Sequence, residues 1–144
     1  MSLLTKLARV GTGAHVAIYR ASNGRVAGSI GGRQVSLLTT TGRHSGKQHT
    51  TPVMTFPHSG GLVIIASNGG SDRTPSWYYN LSAHPSVQVQ TGAQVRSMIA
   101  RTASPQEKAQ IWPGIVAAAK NFGSYQSRTS REIPVVILTP ASPG

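Results

Sequence analysis

The sequence contains no cysteine, and its 144 residues include only three acids, Asp72, Glu107 and Glu132. The first absence excludes disulfides, thiol catalysis and cysteine-ligated zinc. The second removes most carboxylate chemistry: a glycosidase pair needs two acids held together, and no local pair exists. A Ser-His-Asp triad could draw only on Asp72, and no serine lies in a G-x-S-x-G context. The five histidines, His15, His44, His49, His58 and His84, include no H-x-x-x-H spacing, so a metal centre is not expected. Long apolar runs are also missing. Leu62 to Ala66 is representative, far short of the roughly 20 residues a membrane span requires. Lys6 and Arg9 are followed by no continuous apolar segment, so the N-terminus does not read as a signal peptide, and a cytoplasmic protein is expected.

What is abundant is positive charge. Fourteen Lys and Arg give a formal net charge of +11. Most are arginines, whose planar fork suits bidentate recognition of phosphate or carboxylate. Such a surplus points to an anionic partner: nucleic acid, an anionic membrane surface, or an acidic small molecule. The basic residues are scattered, and the two Trp, four Tyr and two Phe are not interleaved with them as stacking platforms, so nucleic acid is not the expected partner. The length and a hydrophobic content of 38% fit one domain over 1–144, large enough to bury a core.

The stretch from Leu37 to Met54 organises the chain. Two β-leaning runs, Val35 to Thr41 and Thr50 to Phe56, flank a polar turn with Gly42, Arg43, His44, Ser45, Gly46 and Lys47. Glycines there would leave N–H groups exposed, and the basic side chains add charge, so the turn is a candidate phosphate site at a sheet edge. An ordinary solvated hairpin tip fits the same composition. Gly42 to Gln48 approximates a P-loop but is one residue short. Glutamine follows the lysine where a hydroxyl is needed for Mg²⁺, and a β segment follows in place of a helix. Nucleotide hydrolysis is therefore rejected.

The remaining chain alternates short elements. Residues 2 to about 20 predict a weak N-terminal helix interrupted by Gly11 and Gly13. It would pack on the sheet or, through Lys6, Arg9 and Arg20, rest peripherally on an anionic membrane. Turns are expected at Asn23-Gly24 and Gly31-Gly32, and at His58 to Gly61. Leu62 to Ala66 reads as a strand buried on both faces, leading into a second glycine loop, Ser67 to Ser71, whose N–H groups, Gly69 included, would face a ligand. A helix is expected from an N-cap at Thr74 and Pro75 at N1 to His84-Pro85. At least one of Trp77 and Tyr78 should be a core residue on it. Val87 to Gln90 and Gln94 to Thr102 predict an antiparallel pair. Ser104 to Glu107 is a capping box opening a helix with Ile111, Trp112, Ile115 and Val116 on its apolar face and a kink at Pro113. Asn121 to Tyr125 should break that helix, Ile133 to Leu138 should be the last strand, and 140–144 a flexible tail. Six or so strands with a few helices give a mainly β, α+β fold: a small, mostly antiparallel barrel.

Four ordered stretches resemble the deazaflavin-dependent nitroreductase family of actinobacteria, which includes quinone reductases using reduced coenzyme F420. They are Leu37 to Arg43 with Ser45-Gly46, Ala66-Ser67 with Gly69-Gly70, Pro75 with Trp77-Tyr78 and Asn80-Leu81, and Tyr125-Gln126-Ser127 with Ile133-Pro134. The likeness covers roughly residues 19 to 138. It implies a split β-barrel of the flavin-reductase, FMN-binding type, with coenzyme F420 (an 8-hydroxy-5-deazaflavin) in a groove. The coenzyme's phosphate and glutamate tail would meet Thr41, Arg43, His44, Ser45, Gly46, Lys47 and His49. The ring would lie beside Thr51, Pro52, Met54, Ala66, Ser67, Asn68, Trp77 and Asn80. Hydride transfer to a quinone, an enone or lactone, or a nitroaromatic follows from the resemblance, with Ser67 and Tyr125 as the candidate catalytic residues. For Tyr125, a structural hydroxyl bonded to backbone is the alternative.

This chain departs from the family pattern where members carry Lys, Arg and Lys, having His44, His49 and Asn68 instead. Fixed charges become titratable imidazoles and a neutral amide, which implies weaker, pH-sensitive tail binding. Nitroimidazole-reducing members carry several tyrosines before the last strand; here Tyr125 stands with Phe122 and Ala119, which argues against that substrate. A split barrel that binds F420, FMN or haem without turnover remains the alternative, as does a basic domain for nucleic acid or anionic membranes. The oligomeric state is open.

Overall fold

The computed structural model describes residues 3–24, 29–30 and 33–141. The N-terminal helix α1 (Leu3–Ser22) is followed by β1 (Ser29–Ile30), β2 (Arg33–Thr41), β3 (Gln48–Met54), β4 (Phe56–His58) and β5 (Gly61–Ile65). Helix α2 (Ser76–Ala83) precedes β6 (Ser86–Thr91) and β7 (Gln94–Thr102). Helices α3 (Pro105–Ala118) and α4 (Asn121–Arg128) then lead to β8 (Val135–Pro140). The strands form one curled antiparallel sheet in the order β1-β2-β6-β7-β8-β5-β4, with β3 on the other edge of β2. Every pairing is antiparallel, as expected of a mainly β fold with helices.

Two apolar layers hold the sheet in this curl. Inside, Leu38, Ile64, Val89, Met98 and Leu138 are almost completely buried, and α2 plugs one end with Leu81. Trp77 and Tyr78 both pack against this layer. Outside, Val63, Ile65, Val135 and Ile137 are covered by Ile115 of α3 and Phe122 of α4. Strands β5 and β8 therefore bury both faces, and the unbroken apolar sequence of β5 follows from that. Each such aliphatic side chain contributes roughly 1.5–3 kcal/mol by burial.

The two β-leaning runs of the central hairpin pair in register from Val35↔Met54 to Thr41↔Gln48. Thr55 then turns the chain out of β3: its N–H donates to Gln34 O at 3.2 Å, and its buried hydroxyl meets that of Ser36 at 3.1 Å. The Ser36 hydroxyl also meets Thr91 at 2.9 Å, so this buried polar corner is satisfied.

Several expectations are corrected. Helix α1 runs through Gly11 and Gly13 without a break. Two glycines weaken a helix without forbidding it, and Val16 and the buried Tyr19 pack its second half on β2. The Tyr19 hydroxyl donates to Gln90 O and accepts from the Gly92 N–H, an anchor the apolar periodicity did not reveal. In α2 the N-cap is Pro75, not Thr74, and no side-chain bond closes it. Asn121 to Tyr125 form the first turns of α4 where a break was expected, because burial of Phe122 against Phe56 outweighs the low propensity of Gly123. Pro113 lies within α3 without ending it. The last strand is displaced to Val135–Pro140, because Pro134 has no N–H and the Ile133 N–H donates to the Gln126 side chain. Pro140 is therefore paired, opposite Met98. The remaining tail at 142–144 and the Gly31-Gly32 turn lie outside the described residues. Among those described, no helix is long and apolar enough to cross a membrane.

The capping box is present as read: Ser104 Oγ accepts from the Glu107 N–H, and Glu107 Oε1 accepts from the Ser104 N–H. Glu107 also accepts two bonds from Arg101, each 2.8 Å. The Arg101 guanidinium, then the Ser104 N–H, hold its carboxyl at about 2 against an ordinary 4.5. A carboxylate depressed in this way stabilises the fold above its unfolded value, and the contribution fades as pH falls through the folded one. Ser104→Ala is expected to cost about 1 kcal/mol in urea unfolding. Glu107→Gln should lower Tm at neutral pH, with the deficit shrinking between about 4.5 and about 2. A deficit of constant size over that range would contradict the assignment.

Candidate active site

Among the described residues, strand β3 hydrogen-bonds only to β2, and β5 only to β4 and β8. Between β3 and β5 the barrel is not closed by a ladder, and a cleft of about 350 Å³ occupies that seam. Its walls are Thr51 to Met54 of β3, Ile65 and Ser67 at the end of β5, Trp77 of α2, and Asn121, Phe122 and Tyr125 of α4. Pro52 fits this position because an edge strand can spare the N–H that proline lacks. The inner cleft has no acidic or basic side chain in its lining. Through Thr51, Asn68, Pro75 and Trp77 it continues into an outer cleft of about 910 Å³ between the β2–β3 turn and the loop before α2.

The β2–β3 turn is not an open nest of amides. The Gly42 N–H donates to Lys47 O (2.7 Å), Gly46 N–H to Gly42 O (2.9 Å) and Lys47 N–H to Ser45 Oγ (3.1 Å). The Arg43 N–H donates to Asn80 Oδ1 at 3.2 Å. The expected exposed glycine N–H groups are thus spent on the turn itself. A Cβ at Gly42 would crowd the Lys47 carbonyl at 3.1 Å and would require the His49 and Ser45 side-chain ends, each 2.9 Å away, to move.

Asn80 fastens this turn to α2. It is buried, its Oδ1 also accepts from Arg43 Nη1 at 2.8 Å, and its Nδ2 donates to Thr40 Oγ1 at 3.4 Å. Arg43 lies over the Tyr79 ring, 5.2 Å from its centre. The outer cleft thereby collects Arg43, His44, Ser45 and His49 from the hairpin, and Arg73 with Trp77 and Asn80 from the other bank. No acid lines it.

Of the residues singled out from the sequence, Arg43, His44, Ser45, His49, Thr51, Asn68, Trp77 and Asn80 line the outer cleft. Thr51, Pro52, Met54, Ser67, Asn68, Trp77 and Tyr125 line the inner one. Thr41, Gly46, Lys47 and Ala66 line neither. Ala66 is fully buried, its N–H bonded to Pro134 O. Gly69 belongs to a 3-10 turn, Asn68–Gly70, in which Ser67 O accepts from the Gly70 N–H and Asn68 O from that of Ser71. Gly70 itself has φ +82°, and a Cβ there would approach the Tyr125 backbone to 2.9 Å, so the loop and α4 meet through it.

The two candidate catalytic residues converge on the inner cleft. The Ser67 side chain is 6% exposed and lines it, and among the described residues its hydroxyl has no hydrogen bond. Tyr125 Oη accepts from Asn121 Nδ2 at 3.0 Å, a side chain and not the backbone partner of the structural alternative. That bond uses an oxygen lone pair and leaves the phenolic proton available for donation. Arg131 braces the loop that carries Ser67: Nη2 donates to Ser67 O (2.8 Å) and Ala66 O (3.2 Å), and Nε to Ser71 O (2.9 Å). Among the described residues, its buried Nη1 has no partner. No sequence signal singled out Arg131. Arg73 had one, a cation between a glycine loop and a helix start, and Asn121 had another, its four-residue helical spacing to Tyr125. A separate cavity of about 450 Å³ between Phe56–Val63 and α3 is edged by His58 and Glu107 and shares no lining residue with the clefts.

The profile of the F420H(2)-dependent quinone reductase family matches residues 12–140. The chain belongs to this family. An F420H(2)-dependent quinone reductase of Mycobacterium tuberculosis (strain ATCC 25618 / H37Rv) is 40% identical over 129 residues, 87% of either chain. The solved structure of an F420-H2 dependent reductase, FDR-A, is 39% identical with a TM-score of 0.67, covering 73% of this chain and 93% of its own. Another, described as a domain-swapped dimer, is 35% identical with a TM-score of 0.69, covering 86% and 98%. A Listeria innocua structure of pyridoxamine 5'-phosphate oxidase type, 16% identical with a TM-score of 0.55 over 75% of this chain and 84% of that one, shares the fold alone. Family membership bears out the resemblance read from the sequence, and with it the expectation of an F420-dependent reductase on a split barrel.

If Asn80 and Arg43 act as one unit, their substitutions should not add. Asn80→Ala is expected to cost about 1–3 kcal/mol of stability. In a double-mutant cycle with Arg43→Ala, the coupling in urea unfolding should be roughly 0.5 kcal/mol or more. Strict additivity would show that the turn holds itself.

Proposed function

We propose that the protein reduces an uncharged planar acceptor, a quinone in the first instance, with hydride from reduced F420 bound along the seam. The observation that carries this reading is the pairing of two unlike clefts end to end. One is apolar, aromatic and free of charged side chains; the other is basic and free of acids. A coenzyme with a flat ring at one end and phosphate and carboxylates at the other suits that donor set. When bound, the deazaflavin supplies a two-electron hydride donor.

The residues divide the remaining work. Arg43, held by Asn80 and the Tyr79 ring, presents its other guanidinium donors to the anionic end. His44 and His49 line the same cleft and add ring N–H donors to that bank. Trp77 and β3 provide the flat apolar walls that exclude water and align ring and acceptor, an effect on the order of several kcal/mol. The Ser67 hydroxyl stands free to donate to an oxygen that gains charge. The Tyr125 proton is available to the reduced acceptor, with Asn121 fixing the ring's orientation. Enones, lactones and nitroaromatics are acceptors of the same shape and polarity, and they rank behind quinones in this proposal.

Oxidation of reduced F420 should be accelerated by the protein in the presence of menadione, followed by cofactor absorbance. No acceleration over the protein-free rate with any of several quinones and enones would overturn the proposal. Tyr125→Phe should lower kcat by tenfold or more, the usual scale for general acid catalysis, with coenzyme affinity little changed.

A further inference from the structure

We infer that Arg73 is a second fixed cationic contact for the coenzyme's anionic tail, gripping it from the bank opposite the β2–β3 turn. This rests on the proposed F420 reading and assigns a residue within it. The backbone of Arg73 is held from three directions. Its carbonyl accepts from Asn68 Nδ2 at 3.0 Å and from Arg131 Nη2 at 3.5 Å, and its N–H donates to Ser71 Oγ at 3.1 Å. Its side chain, by contrast, is exposed, lines the outer cleft and has no hydrogen-bond or ion-pair partner among the described residues.

The acids that could neutralise it are engaged elsewhere. Asp72, its sequence neighbour, accepts from the Thr129 hydroxyl at 2.7 Å and does not line the cleft. Glu107 pairs with Arg101, and Glu132 with Lys108. A guanidinium on a pinned backbone, unpaired among the described residues and sharing a cleft with Arg43, repels it unless an anion lies between them. The rigid loop removes much of the ordering cost that an exposed arginine otherwise carries. Asn68 takes part in this arrangement. At φ +47° its amide reaches the Arg73 carbonyl, so a neutral residue at 68 sets the position of a charged one at 73.

The test is equilibrium binding by fluorescence of two probes, intact F420 and the deazaflavin fragment lacking phosphate and glutamates. Arg73→Ala should weaken binding of intact F420 roughly tenfold, the scale of one charge-assisted contact, and make it less salt-sensitive. Binding of the fragment should change less than twofold, and thermal melting should confirm that the variant is folded. Unchanged affinity for intact F420 would overturn the assignment. So would an equal loss for both probes, which would place Arg73 at the ring or in support of the loop. Failure of the natural chain to bind either probe would remove the F420 reading itself, an outcome distinct from a silent variant.

Discussion

The missing ladder between β3 and β5 is the constraint on which the rest of the structure depends. A barrel closed by hydrogen bonds has no edges and, at this size, an interior filled with side chains. Here the interior is filled by Leu38, Ile64, Met98 and Leu138, while closure stops short at β3. Thr55 enforces that stop by tying the chain back to Gln34 and Ser36 before it turns into β4. The seam thus has a rigid floor and two walls of fixed spacing. α2 and α4 cover it with aromatic side chains without closing it.

Charge follows the same division. Two of the three acids are paired with Arg101 and Lys108, and Asp72 is held by Thr129. Arg43 and Arg73, which pair with no acid among the described residues, face the outer cleft from opposite banks, and the Gly42 and Gly46 amides of the turn are already used. A backbone nest would have bound any small anion. Side chains on two banks instead favour an extended polyanion, and the apolar inner cleft favours a ring attached to it.

Much of this could be read from the sequence. The β-leaning composition of Val35 to Thr41 and Thr50 to Phe56 placed the central hairpin, and the continuous apolar run at 62–66 placed a doubly buried strand. The four ordered stretches located both clefts, since Arg43, Ser67, Trp77, Asn80 and Tyr125 all reach them. What could not be read depends on contacts distant in sequence. Asn121 to Tyr125 look like a helix breaker until Phe122 finds Phe56. The Gly42 and Gly46 amides look exposed until Lys47 O and Gly42 O accept from them. Asn80 looks like a ligand contact, and most of its bonding capacity is spent on Arg43 and Thr40. Arg131 matters through the loop it braces, which no local pattern shows.

The most direct measurement is a crystal structure of the protein with F420 bound. If the seam is the site, the ring will lie between Thr51–Met54 and Trp77, with the phosphate and glutamates running past Arg43 towards Arg73. Density for the coenzyme in the cavity between β4, β5 and α3, with the seam closed by its own side chains, would contradict it.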